Sequence, residues 1–218
     1  MAVIYDSAQQ EQIYGKLGQL YGDRLNDDVK AVEAWRALLA INPNDRKAQE
    51  AIKKKYLALG QWDELEVFYA ESGKWDEFIR LLESQESKET DEAAKVSLLM
   101  KTAQLWMTQK GKPDRSARAY EKVLGIDENN LGAAERLIPI YQTANNPKGL
   151  AGAIEVKLGH TTEADERLGL LREAAALYEG RINDKERAFE RYRAAFQIAP
   201  SDEQGQADTI ERKVEICQ

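Results

Sequence analysis

Three segments of the chain align on one another without a gap: LYGDRLNDDVKAVEAWRALLAINPND (20–45), LWMTQKGKPDRSARAYEKVLGIDENN (105–130) and LYEGRINDKERAFERYRAAFQIAPSD (177–202). The first offset is 85 residues, from Leu20 to Leu105; the second is 72, from Leu105 to Leu177; the two differ by 13. A repeat of this length means stacked supersecondary units, none of which can bury its apolar face alone. The aligned positions have physical content. Leu20, Leu105 and Leu177 are expected to end one helix. Ala34, Ala119 and Arg191 precede the aromatics Trp35, Tyr120 and Tyr192, and Ile41, Ile126 and Ile198 close a second helix. A polar stop follows, NPND, DENN or APSD, in which Pro43 and Pro200 cannot continue a helix. Asn44, Asp45, Asn129, Ser201 or Asp202 can cap the next one.

Upstream apolar residues keep helical spacing, as in Ile13, Leu17, Leu20 and Tyr21, or Leu170, Ala174, Leu177 and Tyr178. Related units lie between: AQEAIKKKYLALGQWDEL (48–65) pairs with AAERLIPIYQTANNPKGL (133–150) at the 85-residue offset. The 72-residue period is therefore two helical hairpins. Ala, Leu, Glu, Lys, Arg and Gln dominate, β-branched runs are absent, and the chain reads as all-α.

These units resemble tetratricopeptide repeats. The family's alternation of bulky and small residues is read here in Tyr14, Leu17, Gly18, Tyr21, Ala31, Trp35 and Pro43, and again in Leu171, Ala174, Ala175, Tyr178, Ala188, Tyr192 and Pro200. Gly60 with Trp62, Asp63 and Glu64 matches the turn that opens a second helix. The resemblance covers nearly the whole chain and implies one right-handed α-solenoid domain over 1–218. About five repeats are expected (7–45, 46–73, 90–130, 131–160 and 163–202), with an extra helix at 74–87 and a C-terminal helix at 203–217. Small residues at Gly18, Ala103, Ala134 and Ala175 are expected to let helices approach closely. Three turns, LNDDVKA, KGKPDRSA and INDKERA, are one residue longer than the family's spacing, with second helices starting at Asp28, Pro113–Asp114 and Asp184. Pro139 falls inside a first helix, where it removes the hydrogen bond to Glu135 and is expected to bend the helix.

The 13-residue difference has a source. In YLALGQWDELEVFYAESGKWDEF (56–78), Tyr56, Gly60, Trp62, Asp63 and Glu64 recur as Tyr69, Gly73, Trp75, Asp76 and Glu77. The segment reads as a duplicated structural helix and the place for a kink. Two separate short helices are favoured over one bent helix, because Gly73 costs about 1 kcal/mol inside a helix and Asp76 and Glu77 suit a fresh N-terminus.

The residues offer no catalytic constellation. The single histidine, His160, is expected in a solvated loop, where acid–base work lacks positioned partners. The single cysteine, Cys217, continues the spacing of Ile210 and Val214 and reads as packing; it excludes an internal disulfide framework and suits a reducing, cytoplasmic setting. Carboxylates at 27–28, in the two WDE motifs and in 83–92 read as helix starts and solvated faces. No phosphate-loop motif occurs, and neither cofactor nor metal is expected. The run NDKERAFERYRAAF (183–196) reads as a core face flanked by i, i+4 charges, Glu186 with Glu190 and Arg187 with Arg191, rather than an RNA-contacting strip. No apolar stretch approaches the length of a membrane span. The start, MAVIYDSAQQEQ, carries no signal-peptide pattern.

The resemblance implies function on the groove lined by first helices. Its exposed positions map to Gln12, Lys16 and Gln19; Lys47 and Lys54; Ser97, Lys101 and Gln104; Gly132 and Arg136; Gly169 and Arg172. The strip is mildly basic in a chain with 31 Lys and Arg against 38 Asp and Glu, a net charge of −7. It suits an acidic or C-terminal peptide of a partner protein. The family's carboxylate clamp also needs asparagines, and Gln19, Lys54, Gln104 and Pro139 stand at one such position, so that clamp is not expected. The resulting expectation is a non-enzymatic protein-binding scaffold. The alternative is a half-a-TPR scaffold contacting RNA, against which the acidic balance argues. The stretch EQGQADTIERKVEIC starts another first helix; it is expected either to cap the array or to belong to a longer one.

Overall fold

The structure, a computed structural model, describes residues 6–199. Within them the chain forms eleven α-helices and no strand: α1 Ser7–Gln19, α2 Asp28–Ile41, α3 Arg46–Ala58, α4 Trp62–Glu71, α5 Trp75–Glu86, α6 Glu92–Thr108, α7 Pro113–Ile126, α8 Leu131–Thr143, α9 Pro147–His160, α10 Ala164–Leu177 and α11 Lys185–Ile198. The helix expected at 203–217, with Ile210, Val214 and Cys217, lies outside the described residues, as does Pro200. The chain divides into two compact units, 1–78 and 79–218, and the division falls within α5. In the first unit α1 pairs with α2, α2 with α3, and α3 with α4. In the second, α6 pairs with α7, α8 with α9 and α10 with α11, and neighbouring hairpins stack through α7–α8 and α9–α10.

One corner recurs six times. Each begins at an aromatic near the end of a helix, whose carbonyl accepts a hydrogen bond from a residue beyond the helix. In the short form Gln61, Lys74 and Asn146 donate to the carbonyls of Tyr56, Tyr69 and Tyr141 at 2.9, 3.0 and 3.0 Å. In the long form Asp27, Lys112 and Asp184 donate to Tyr21, Trp106 and Tyr178 at 2.9, 2.9 and 2.8 Å. The residue before each donor is left-handed: Gly60, Gly73, Asn145, Asn26, Gly111 and Asn183 have φ between 50° and 65°. Only glycine and asparagine reach that region cheaply, which is why they stand there. At Gly60 and Gly73 a Cβ would meet nothing within 4 Å, so the φ angle, and not space, requires glycine.

The long corner carries the extra residue seen in the sequence, and it sits partly inside the helix. Leu20–Arg24 and Tyr178–Ile182 form π-helical turns that continue α1 and α10. A π turn is how a helix absorbs one inserted residue. Of the three leucines expected to end a helix, Leu177 ends α10, Leu20 follows α1 as its C-cap and opens the π turn, and Leu105 does not end α6, which runs on to Thr108. Ile41, Ile126 and Ile198 do end α2, α7 and α11. The caps are Asp27, Asp45, Asp91, Asn130, Asn146 and Asp184, each accepting from a backbone N–H three residues on. Asn130, and not Asn129, starts α8.

The small residues act where helices cross. Gly18 is buried, and a methyl added there would lie 2.5 Å from the Trp35 indole, so only glycine lets α1 rest on that ring. Ala103, Ala134 and Ala175 are fully buried. The core of the second unit joins Leu99, Ala103, Tyr120, Val123, Ala134, Leu137, Tyr141, Ile154 and Tyr178. Each large side chain of this kind is worth about 3–5 kcal/mol against alanine. Tyr192 packs against the edge of this core: it is half-buried, and its hydroxyl donates to Glu179 at 2.8 Å. Tyr69 stacks on Phe78 at 5.1 Å, tying the start of α5 to α4. Helix α8 runs unbroken through Pro139.

The α6–α7 hairpin carries two buried hydroxyls without partners, Thr102 Oγ1 and Ser116 Oγ. The aligned positions for Ser116 are Ala31 and Ala188. A buried unpaired hydroxyl costs about 1–3 kcal/mol. Ser116→Ala is therefore expected to raise the unfolding free energy by about 1 kcal/mol, read by urea denaturation monitored through circular dichroism.

The buried tyrosines set a second expectation. Burial pushes the Tyr69, Tyr120 and Tyr178 phenols up, and Tyr141 rises further because it donates to Glu121 at 2.8 Å. A raised phenol pKa means that folding favours the neutral form. The stabilisation is complete below the unfolded value of about 10 and is lost as pH climbs through and above it. Absorbance at 295 nm should show these phenols ionising together with the loss of helical ellipticity, and free titration of all tyrosines before unfolding would contradict it.

Candidate functional site

The groove between α1 and α3 in the first unit is built from the repeat itself. Gly15 and Gly18 lie on α1 against the Trp35 indole, Gly22 follows in the π turn, and Trp35 lines the groove beside all three. The groove holds two neighbouring depressions. One, of about 330 Å³, is lined by Gln12, Gly15, Lys16, Gln19, Trp35 and Lys47 among others. The other, of about 310 Å³, is lined by Gly18, Gly22, Gln19, Trp35, Lys47 and Lys54 among others. The five sequence-derived positions of this unit, Gln12, Lys16, Gln19, Lys47 and Lys54, thus meet around one aromatic.

Charge in the groove has two kinds of lysine. Lys55 is structural: its Nζ lies 2.6 Å from Asp28 and donates to the Gly22 carbonyl at 3.4 Å, bracing the π turn. Lys16, Lys47 and Lys54 are exposed and form no ion pair with another described residue. Of the carboxylates nearby, Asp45 caps α3, accepting from Ala48 N at 2.8 Å, and Glu11 accepts from Asn42 at 3.2 Å. Asp23 stands on the rim of the second depression.

In the second unit the expected positions are spread over three helices. Ser97, Lys101 and Gln104 lie on α6, Gly132 and Arg136 on α8, and Gly169 and Arg172 on α10. Ser97, Gln104, Arg136, Gly169 and Arg172 are exposed, while Lys101 and Gly132 are half-buried. Lys101 and Arg172 are engaged with neighbours. None lines the cleft of about 210 Å³ that this unit forms between α5, α6 and α7. There Arg115 covers the Trp106 ring at 4.7 Å, Trp106 Nε1 donates to Glu83 at 3.4 Å, and Lys122 pairs with Glu86 at 3.2 Å. The sequence held a signal for this cleft: Arg115, Arg118 and Lys122 share one face of α7 at i, i+3 and i+7.

Two expectations are corrected. His160 does not lie in a loop; it ends α9, and its Nε2 stands 2.7 Å from the Asn129 carbonyl, an acceptor that places the proton on Nε2. Arg187 and Arg191 of α11 pair with groups other than one another, one in the helix's own N-terminal turn and one across to α9. Arg191 binds Glu155 on α9 at 2.7 Å, and Arg187 lies over Tyr178 and binds Asp184. Among the described residues no group of three or more His, Cys, Asp or Glu could hold a metal ion, and no helix is long and apolar enough to cross a membrane.

Helix hairpins with small-on-aromatic crossings define an all-α helical-repeat fold. No family model and no curated protein matches the sequence. Among solved structures, the chain is similar to Pseudomonas aeruginosa pilF, at 15% identity over 96% of this chain and 99% of that one, with a TM-score of 0.42. It is similar to BtubC (BKLC) from P. vanneervenii at 15% identity, over 91% and 92% of the two chains, with a TM-score of 0.42. A tetratricopeptide repeat protein from Parabacteroides merdae matches at 15% identity over 95% and 74%, with a TM-score of 0.42.

The two kinds of lysine are separable by experiment. Lys55→Met, which leaves Asp28 and the Gly22 carbonyl unpaired, is expected to lower stability by about 1 kcal/mol. Lys16→Gln and Lys54→Gln should stay within about 0.5 kcal/mol of the parent. Thermal melts of the three variants provide the comparison.

Proposed function

We propose that the chain is a non-enzymatic scaffold that binds an acidic segment of a partner protein in the groove between α1 and α3. The observation that carries this reading is the set of three exposed lysines, Lys16, Lys47 and Lys54, without ion-pair partners among the described residues and ranged round depressions floored by Trp35. Unpaired cations beside an aromatic floor attract carboxylates at long range and seat apolar stems at short range. Gln12 and Gln19 add hydrogen-bonding groups to the same walls. In the second unit Ser97, Lys101, Gln104, Arg136 and Arg172 stand at the equivalent repeat positions and make up that unit's own candidate strip. The whole chain acts as one helical-repeat scaffold in the cytoplasm. No observation favours the RNA-contacting reading.

The test uses a fluorescein-labelled hexaglutamate peptide and anisotropy with the full chain. The parent binds, and binding weakens as salt rises. Reversing Lys16, Lys47 and Lys54 to Glu weakens it about tenfold or more. Reversing Lys88, Lys112 and Lys148, exposed lysines of the second unit, makes the same change in net charge and leaves binding nearly intact. Equal losses in both triple variants would reduce the effect to overall charge and end the groove reading.

A further inference from the structure

The Trp35 side chain is 4% exposed, yet its indole N–H donates to no described residue. Nε1 is not shut off from solvent as Thr102 Oγ1 and Ser116 Oγ are, so the donor lies open at the floor of a depression and can meet an acceptor from outside. The ring's orientation follows from its contacts with α1. A Cβ at Gly15 would lie 3.9 Å from Cζ3, whereas one at Gly18 would lie 2.5 Å from Cε2 and 2.8 Å from Nε1. The six-membered end therefore sits under Gly15 and the pyrrole end under Gly18. Nε1 thus belongs to the end of the ring away from Gly15, and Trp35 lines the depression shared by Gly18, Gly22, Lys47 and Lys54.

We infer that Trp35 is a ligand-reading residue as well as a core aromatic: its Nε1–H receives a side-chain carboxylate oxygen of the acidic segment, with Lys47 and Lys54 neutralising the charge. This rests on the groove reading above and adds the donor that gives it specificity. A carboxylate is the acceptor that suits the place, because a hydrogen bond to an ionised oxygen is shorter and stronger than one to a neutral carbonyl. Charge supports it. Lys55 and Asp28 cancel one another at 2.6 Å, which leaves Lys47 and Lys54 facing the single rim carboxylate of Asp23. A side-chain carboxylate is favoured over a chain terminus because the cations are spread: Lys16 lines one depression, Lys54 the other, and Lys47 both. Several carboxylates in a row match that spread, and one terminal group does not.

The experiment is a titration of the full-length, 15N-labelled chain followed through its indole N–H resonances. The Trp35 signal is assigned by its loss in Trp35→Phe or, should that variant not fold, by its nuclear Overhauser contact with Gly18. Acetylated and amidated hexaglutamate is expected to move the Trp35 indole proton downfield and to saturate. Hexaglutamine with the same blocked ends leaves it in place, as does acetylated pentaalanine with a free C-terminus. Lys54→Glu should weaken the response about tenfold. If hexaglutamate binds by anisotropy and Lys54→Glu weakens it while the Trp35 indole stays fixed, the indole role is overturned and the groove stands. A shift with free-terminus pentaalanine alone overturns the side-chain source. If hexaglutamate does not bind at all, the groove reading falls, and this inference with it.

Discussion

Every described first helix in this chain is closed by the same bond, from a backbone N–H beyond the helix to the carbonyl of an aromatic near its end. A left-handed glycine or asparagine makes the reversal possible, and the next helix starts within two residues of the donor. Because the aromatic is also a packing residue, the corner couples two requirements at one position. Tyr56, Tyr69, Tyr141 and Tyr178 are buried, so the residue that closes the helix also holds it against its neighbours. The corner then fixes where the second helix begins and which of its residues face the first. The long form differs by one residue, and π turns take up the slack in α1 and α10 while the bond to the aromatic is kept.

The 13-residue echo gains a physical meaning from that corner. Tyr56–Gly60–Gln61 and Tyr69–Gly73–Lys74 are the same turn made twice, bond for bond, at φ of 65° in both glycines. Helix α4 packs on α3 as the second member of a hairpin yet ends as first helices end. What was duplicated is a helix with its terminating turn, and the copy, α5, is where the chain divides into two compact units.

Close packing and the proposed binding groove share one cause. Glycine on α1 lets Trp35 approach the helix backbone, and that same absence of side chains opens the depressions in which Lys16, Lys47 and Lys54 stand. Packing and the shape of the proposed site are therefore not separable at Gly18. In the second unit the corresponding residue is Ala103, and the cleft there forms elsewhere, at Trp106.

The sequence by itself determined the all-α hairpin architecture. Period-3.6 spacing, small residues opposite aromatics and polar stops after Ile41 and Ile126 each have one low-energy solution, and local chemistry selects it. It also placed Gln12, Lys16, Gln19, Lys47 and Lys54 on exposed faces of first helices, because helical periodicity alone decides which side faces away from the core. The aligned Asn26, Gly111 and Asn183 signalled the left-handed corner residue, although the extra residue beside them was read as loop. Only the tertiary structure decided the rest. Which lysine is spent on Asp28, which end of the Trp35 ring lies under Gly18, and that Arg191 of α11 pairs with Glu155 all depend on distances between helices. The cleft at Trp106 belongs there too, since it needs three helices to meet. Those distances are set by how packed surfaces interlock, a property of pairs of helices that no single segment carries.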